Sequence, residues 1–147
     1  MKGLSVCLCF AAAALWMTAG VGAQHGGVVH VPAEKVSPLI EKGGNLAALP
    51  DANVSINRRT GPGQSEIHDK ETDTFYILEG DATFVTGGKM VGGKTTAPGQ
   101  LRGTGIDGGQ TMQLHKGDIV VIPAGTPHWF KDVPTKVVYY TVKAIRP

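Results

Sequence analysis

Along most of this chain the apolar positions alternate with polar ones, or fall in short runs bounded by Gly and Pro. Val54-Ser55-Ile56-Asn57 alternates as a half-buried strand does. Residues 74–78 are rich in aromatic and β-branched side chains and end at Glu79-Gly80-Asp81, a turn signal. Residues 82–86 follow as a partner strand and stop at Gly87-Gly88. The same reasoning places strands at 110–114, 119–122, 128–130 and 136–144. Residues 87–109 are Gly-rich and read as a hairpin with a long irregular tip, and 24–31 as a loose segment or an added edge strand. One short helix is expected at 38–42, with Ser37 as N-cap, Pro38 at the first helical position and Gly43-Gly44 as the stop. No segment repeats with a period of 20–50 residues, which argues against solenoids and propellers. Short strands with almost no amphipathic helix indicate an all-β sandwich or barrel.

The first residues read differently. Lys2 precedes an apolar run over 4–17, and Val21-Gly22-Ala23 offers the small residues that signal peptidase prefers. The chain is therefore expected to divide into a signal peptide, 1–23, and a single domain, 24–147, that is secreted or periplasmic. The run is short for a membrane span and no second one follows, so no stable span is expected after the leader is removed. Cys7 and Cys9 both fall within the leader, which leaves no thiolate for catalysis or metal binding. Removing Lys2 from 14 Lys+Arg leaves thirteen against 12 Asp+Glu. That balance argues against a nucleic-acid partner.

Two segments carry chemistry. In the first, Glu66-Ile67-His68, a strand turns Glu66 and His68 to one face, because its side-chain period is two. Asp73 opens the next strand, and Phe75 and Ile77 share its face. In the second, Gly117-Asp-Ile-Val-Val-Ile-Pro123-Ala-Gly125-Thr-Pro-His128, a hydrophobic strand meets a Pro/Gly turn that delivers the chain to His128. Should the segments be neighbours, Glu66, His68, Asp73 and His128 converge. Two imidazoles with two carboxylates suit iron(II), manganese, nickel or zinc. Glu66, if not a ligand, becomes a candidate general base. Phe130, on the face of His128, and Phe75 are candidates for the pocket wall, whereas Trp129 points the other way. Arg58 and Arg59 are adjacent, so a regular strand turns one of them inward; Arg58 is assigned to the pocket, where it would hold a substrate carboxylate, with a surface ion pair as the alternative. Asp69 and Glu71 read as a solvated turn, and His115 as a surface residue. Gly88-Lys-Met-Val-Gly-Gly93-Lys94-Thr95 fits the P-loop pattern by letter, but Thr95-Thr96-Ala97-Pro98-Gly99 follows it, where a helix must begin.

The two segments resemble the two motifs of the cupins. The first is Gly, five residues, His-x-His, three or four residues, Glu, six residues, Gly; with Gly80 at its end, Asp73 falls on the Glu, His68 on the second His and Glu66 on the first. The second is Gly, five residues, Pro-x-Gly, two residues, His, three residues, Asn, and Gly117, Pro123, Gly125 and His128 match it, with Asp132 at the Asn. The resemblance implies a cupin-type double-stranded β-helix, or jelly roll, with a divalent metal ion held by Glu66, His68, Asp73 and His128. It implies a metal-dependent enzyme of dioxygenase, isomerase or lyase type acting on a small molecule. The alternative is a non-catalytic barrel that binds a small molecule or the metal itself. Homodimers are common among similar proteins. Glu66 and Asp73 depart from the motif but keep an oxygen ligand, which shifts the preference towards harder ions.

Overall fold

The computed structural model describes residues 27–147; the expected leader, with both cysteines, lies outside them. Residues 27–32 form no regular element. Helix α1 spans Ala33–Lys42, five residues longer at its start than the Ser-Pro signal suggests. Ala33, Glu34 and Lys35 are good helix formers, and the first turn closes on the Pro32 carbonyl. Pro38 therefore sits inside the helix, where it donates no hydrogen bond to the preceding turn. Ser37 is not a cap; its hydroxyl donates to the Ala33 carbonyl (2.9 Å). Gly43, at φ 72°, ends the helix and donates to Leu39 O, as the Gly-Gly signal foretold. None of the described helices is long and apolar enough to cross a membrane.

The remaining elements among the described residues are strands: β1 (Gly44–Ala48), β2 (Ala52–Arg59), β3 (Ser65–His68), β4 (Glu71–Gly80), β5 (Ala82–Thr86), β6 (Lys89–Val91), β7 (Lys94–Ala97), β8 (Gln100–Gly103), β9 (Gly105–Asp107), β10 (Gln110–Leu114), β11 (Ile119–Ile122), β12 (His128–Asp132) and β13 (Val137–Ile145). They form one sheet in the order β1-β2-β13-β4-β11, a second in the order β10-β5-β12-β3-β8-β7, and a small ribbon, β6-β9. Every pairing is antiparallel. Residues 87–109 thus form four short strands in place of the irregular tip. They escape a burial-based reading because their side chains are largely exposed; β7 is exposed throughout. The P-loop look-alike is divided between β6 and β7, with no helix behind it.

The two sheets enclose a core of Phe75, Ile77, Phe84, Leu114, Ile122, Phe130, Val137 and Tyr139. Phe84 and Phe130 meet edge to face with centroids 5.0 Å apart, and Phe130 stacks on Tyr139 at 4.9 Å. Burial of each such ring stabilises the fold by about 2–3 kcal/mol. Phe75, Phe130 and Tyr139 also line a cavity between the sheets, so the top of the core is the floor of that cavity. Ile56 is buried apart from this cluster, on the opposite face of β2, the strand against which α1 packs.

Candidate metal centre

Backbone pairing brings the two motif segments together. His128 of β12 stands opposite Glu66 of β3, and Ile122 of β11 stands opposite Asp73 of β4. The Gly125 N–H donates to the His68 carbonyl at 2.8 Å, tying the Pro-x-Gly turn to the end of β3. The six-stranded sheet thereby supplies Glu66, His68 and His128, and the five-stranded sheet supplies Asp73 from across the cavity.

Side-chain positions follow from these pairings. His68 Nε2 lies 3.3 Å from Glu66 Oε2 and 3.6 Å from Asp73 Oδ2. His128 Nε2 lies 3.9 Å and 3.8 Å from the same two oxygens. Ligand atoms about 2.1 Å from a common ion stand about 3.0–3.4 Å apart, so a contraction of a few tenths of an ångström would complete such a site. Both Nε2 atoms are buried and make no well-directed hydrogen bond. Glu66, His68 and His128 form one group with metal-binding spacing, and His68, Glu71 and Asp73 form a second that shares His68.

The tautomer of each neutral ring is set from behind. His128 Nδ1–H donates to the Thr126 carbonyl (3.0 Å), which leaves the lone pair of the neutral ring on Nε2. For His68 the chain of bonds is longer. The Gln100 amide nitrogen donates to Glu71 Oε1 (2.9 Å), so its oxygen faces His68 and must accept from Nδ1–H. When neutral, each imidazole therefore presents an unshared pair on Nε2 to the cavity, the arrangement by which outer partners orient metal-binding histidines.

Lys143 of β13 is the charge partner of Asp73. Its ammonium donates to Asp73 Oδ1 (2.9 Å), to Asp73 Oδ2 (3.0 Å) and to Glu71 Oε2 (2.8 Å). Both Asp73 oxygens are thus engaged by a fixed cation. Glu71, read from the sequence as a solvated residue, lines the cavity and holds Lys143 and Gln100 in place; Asp69, by contrast, is exposed. His115 is exposed as expected and pairs with Asp81 (2.7 Å).

Arg58 is not in the cavity. It is exposed, and Arg59 lines the site instead. Arg59 Nε donates to the Tyr139 hydroxyl (3.0 Å), its Nη2 approaches Glu66 Oε1 (3.3 Å), and its guanidinium lies over the Phe130 ring, 5.0 Å from the centroid. Arg102 of β8 pairs with the same Glu66 oxygen. Phe75 and Phe130 line the cavity; Trp129, whose indole N–H donates to the Gly63 carbonyl (2.7 Å), borders it. Gln100, Arg102 and Lys143 carried no sequence signal, and their places follow from the pairing of β8 and β13.

Burial alone would raise the Glu66 carboxyl. The contact with His68 and the charges of Arg102, His128 and Arg59 outweigh that and bring it to about 2. Burial likewise pushes His68 down, but its contacts with Glu66, Asp73 and Gln100 prevail over burial and Lys143, and it ends above its ordinary value. For His128 burial wins and the pKa falls. Glu66 is therefore a carboxylate whose stabilising contribution is present above pH 4.5, its ordinary pKa, and is lost as the pH falls through about 2. In the metal-free protein Glu66→Gln is expected to remove up to about 3 kcal/mol of stability at pH 6. Urea unfolding at pH 6 and pH 3 tests this: the gap between wild type and variant should narrow at the lower pH, and a constant gap would reject the assignment.

No family model matches this chain, and no curated protein matches it. Solved structures do. A Bacillus halodurans protein, BH2720, is 14% identical, with a TM-score of 0.57 over 86% of this chain and 88% of its own. The cupin domain of Schizosaccharomyces pombe Cnp3 is 13% identical, with a TM-score of 0.52 over 71% of this chain and 60% of its own. This chain has the cupin fold. TT1209 of Thermus thermophilus is similar at 18% identity, with a TM-score of 0.50 over 73% of this chain and 87% of its own. Likeness at these identities concerns the fold, and one cupin fold hosts many activities.

Proposed function

We propose that the protein is a metal-dependent enzyme acting on a small organic molecule, with Glu66 Oε2 and the Nε2 atoms of His68 and His128 as the protein ligands of one divalent ion. The observation that carries this reading is the pair of buried, unpartnered Nε2 atoms, both facing a carboxylate oxygen. Buried polar atoms without partners are rare, and two aimed at one point suit a ligand role. Asp73, engaged by Lys143, serves to hold that ammonium beside the centre. A carboxylate poised at about 2 is a poor base near neutral pH, so Glu66 fits the role of ligand better than that of general base.

Iron(II), manganese, nickel or zinc bound there would supply Lewis-acid polarisation of a substrate oxygen. The chain's own residues do the rest. Glu71 and Gln100 keep the proton of His68 on Nδ1. Phe75 and Phe130 wall the cavity and keep bulk water from its floor. The cavity of about 370 Å³ lies at the small end of the range for ligand pockets, which supports a small substrate. The pattern of Lys2, the apolar run and Val21-Gly22-Ala23 supports action outside the cytoplasm.

The test is metal uptake followed by water access. The untagged protein, dialysed against each of the four ions, is expected to retain close to one ion per chain by elemental analysis. With Mn²⁺ bound it should enhance water-proton relaxation, because an enzyme's ion keeps an exchangeable position. No uptake of any of the four ions would reject the metal centre. Uptake without enhanced relaxation would reject catalysis and leave a storage or structural ion.

A further inference from the structure

The ionisable side chains around the cavity balance one another. Arg59, Arg102 and Lys143 face Glu66, Glu71 and Asp73, and both imidazoles are neutral when they act as ligands. A divalent ion therefore leaves the cavity with two positive charges in excess. Lys143 is engaged by Asp73 and Glu71, but the two guanidiniums share a single oxygen, Glu66 Oε1. That sharing leaves donors to spare. Of five N–H groups, Arg59 commits those on Nε and Nη2, to Tyr139 and Glu66. Among the described residues Glu66 is the one carboxylate that Arg102 pairs with, through Nη1. Both side chains lie at the partly exposed edge of the cavity, 27% and 36% accessible, where an entering molecule meets them.

We propose that this cavity selects small organic carboxylates, with Arg59 and Arg102 holding the carboxylate next to the metal centre and the aromatic wall, Phe130 above all, packing the carbon skeleton. The planar fork of a guanidinium matches a carboxylate with two parallel hydrogen bonds, which a neutral amide cannot reproduce. Phe130 lies beneath Arg59, so an apolar body attached to the carboxylate has a ring to rest on. The proposal rests on the metal reading above, which supplies the excess charge.

The experiment loads the full chain with Zn²⁺, measures its metal content, and then titrates it calorimetrically with benzoate and with benzamide, which differ in charge and hardly in shape. Benzoate is expected to bind at least about tenfold more tightly. Arg102→Met, on an exposed edge hairpin, and Arg59→Met are each expected to weaken benzoate about tenfold or more while retaining the metal. Equal affinity for the two probes in metal-loaded wild type would overturn the carboxylate proposal and leave the metal centre standing. Benzoate binding indifferent to both arginine variants would do the same, since it would place the anion on the ion alone. Failure of the wild type to hold Zn²⁺ or any of the other three ions would instead remove the metal reading and this proposal with it. The comparison of probes on wild type needs no variant to fold.

Discussion

Replacing His128 by alanine is expected to lower divalent-metal affinity by more than about 100-fold, and His68→Ala should do the same. They are the only imidazoles at the site among the described residues. His128 is oriented by a backbone carbonyl, and its Nε2 has no competing partner. Outer partners of metal ligands are themselves worth about 10–100-fold in affinity, which sets the scale for losing a ligand outright. The same scale applies to Gln100→Leu, which deprives His68 Nδ1–H of its acceptor without touching the centre; a loss of about tenfold is expected there. Competition with a chelating dye measures all three variants. Thermal melting of the metal-free proteins shows whether the loss is of binding or of fold. Metal affinity in His128→Ala within a factor of a few of wild type would reject the ligand assignment.

The largest effect on stability is expected at Gly80, which closes β4 at φ 78° opposite Val137. An added Cβ would collide with the backbone carbonyl of Lys136 and lie 3.3 Å from Val137 Cα. The obstacle is backbone where the chain enters the central strand β13, which cannot swing aside as a side chain would. Gly80→Ala should therefore destabilise the protein by at least about 3 kcal/mol, beyond the 1–2 kcal/mol expected of a left-handed residue alone. Gly87 is the internal control. It has nearly the same φ, 73°, with open space where its Cβ would go, and Gly87→Ala is expected to cost only about 1 kcal/mol. Equal losses in chemical denaturation would show that strain in φ, and not the clash, governs both positions.

These positions show how far the sequence could be read. Gly80, His68, Gly125 and His128 were legible because a tight turn or an aimed imidazole admits few residue types, so their spacing persists as a motif. The polarity of a strand was less informative. Val54 and Ile56 look like the inner face of β2, which puts Arg58 inside with them. Yet the cavity between the sheets is polar at this end, so Asn53, Asn57 and Arg59 face it, while Ile56 is buried on the other side. The inward face of a strand that borders a charged site need not be its apolar one. Lys143 was beyond reach for another reason. It lies 72 residues from Glu71 and 70 from Asp73, and only the β13–β4 register sets them side by side. Helix α1 illustrates a third limit: Ser-Pro is a starting signal, but good helix formers ahead of it extended the helix past that point.

The β7–β8 hairpin lies at the edge of its sheet, and β7 is wholly exposed, yet β8 brings Arg102 and Gln100 to the cavity. Its contribution to the core is slight, so its residues can drift with little penalty in folding. Relatives that keep both histidines and Gln100 but differ elsewhere across 94–103 should share a metal and diverge in the molecules they take. The other residues of that hairpin are where a designer wishing to retarget the pocket would place a library, leaving the scaffold and the histidines untouched.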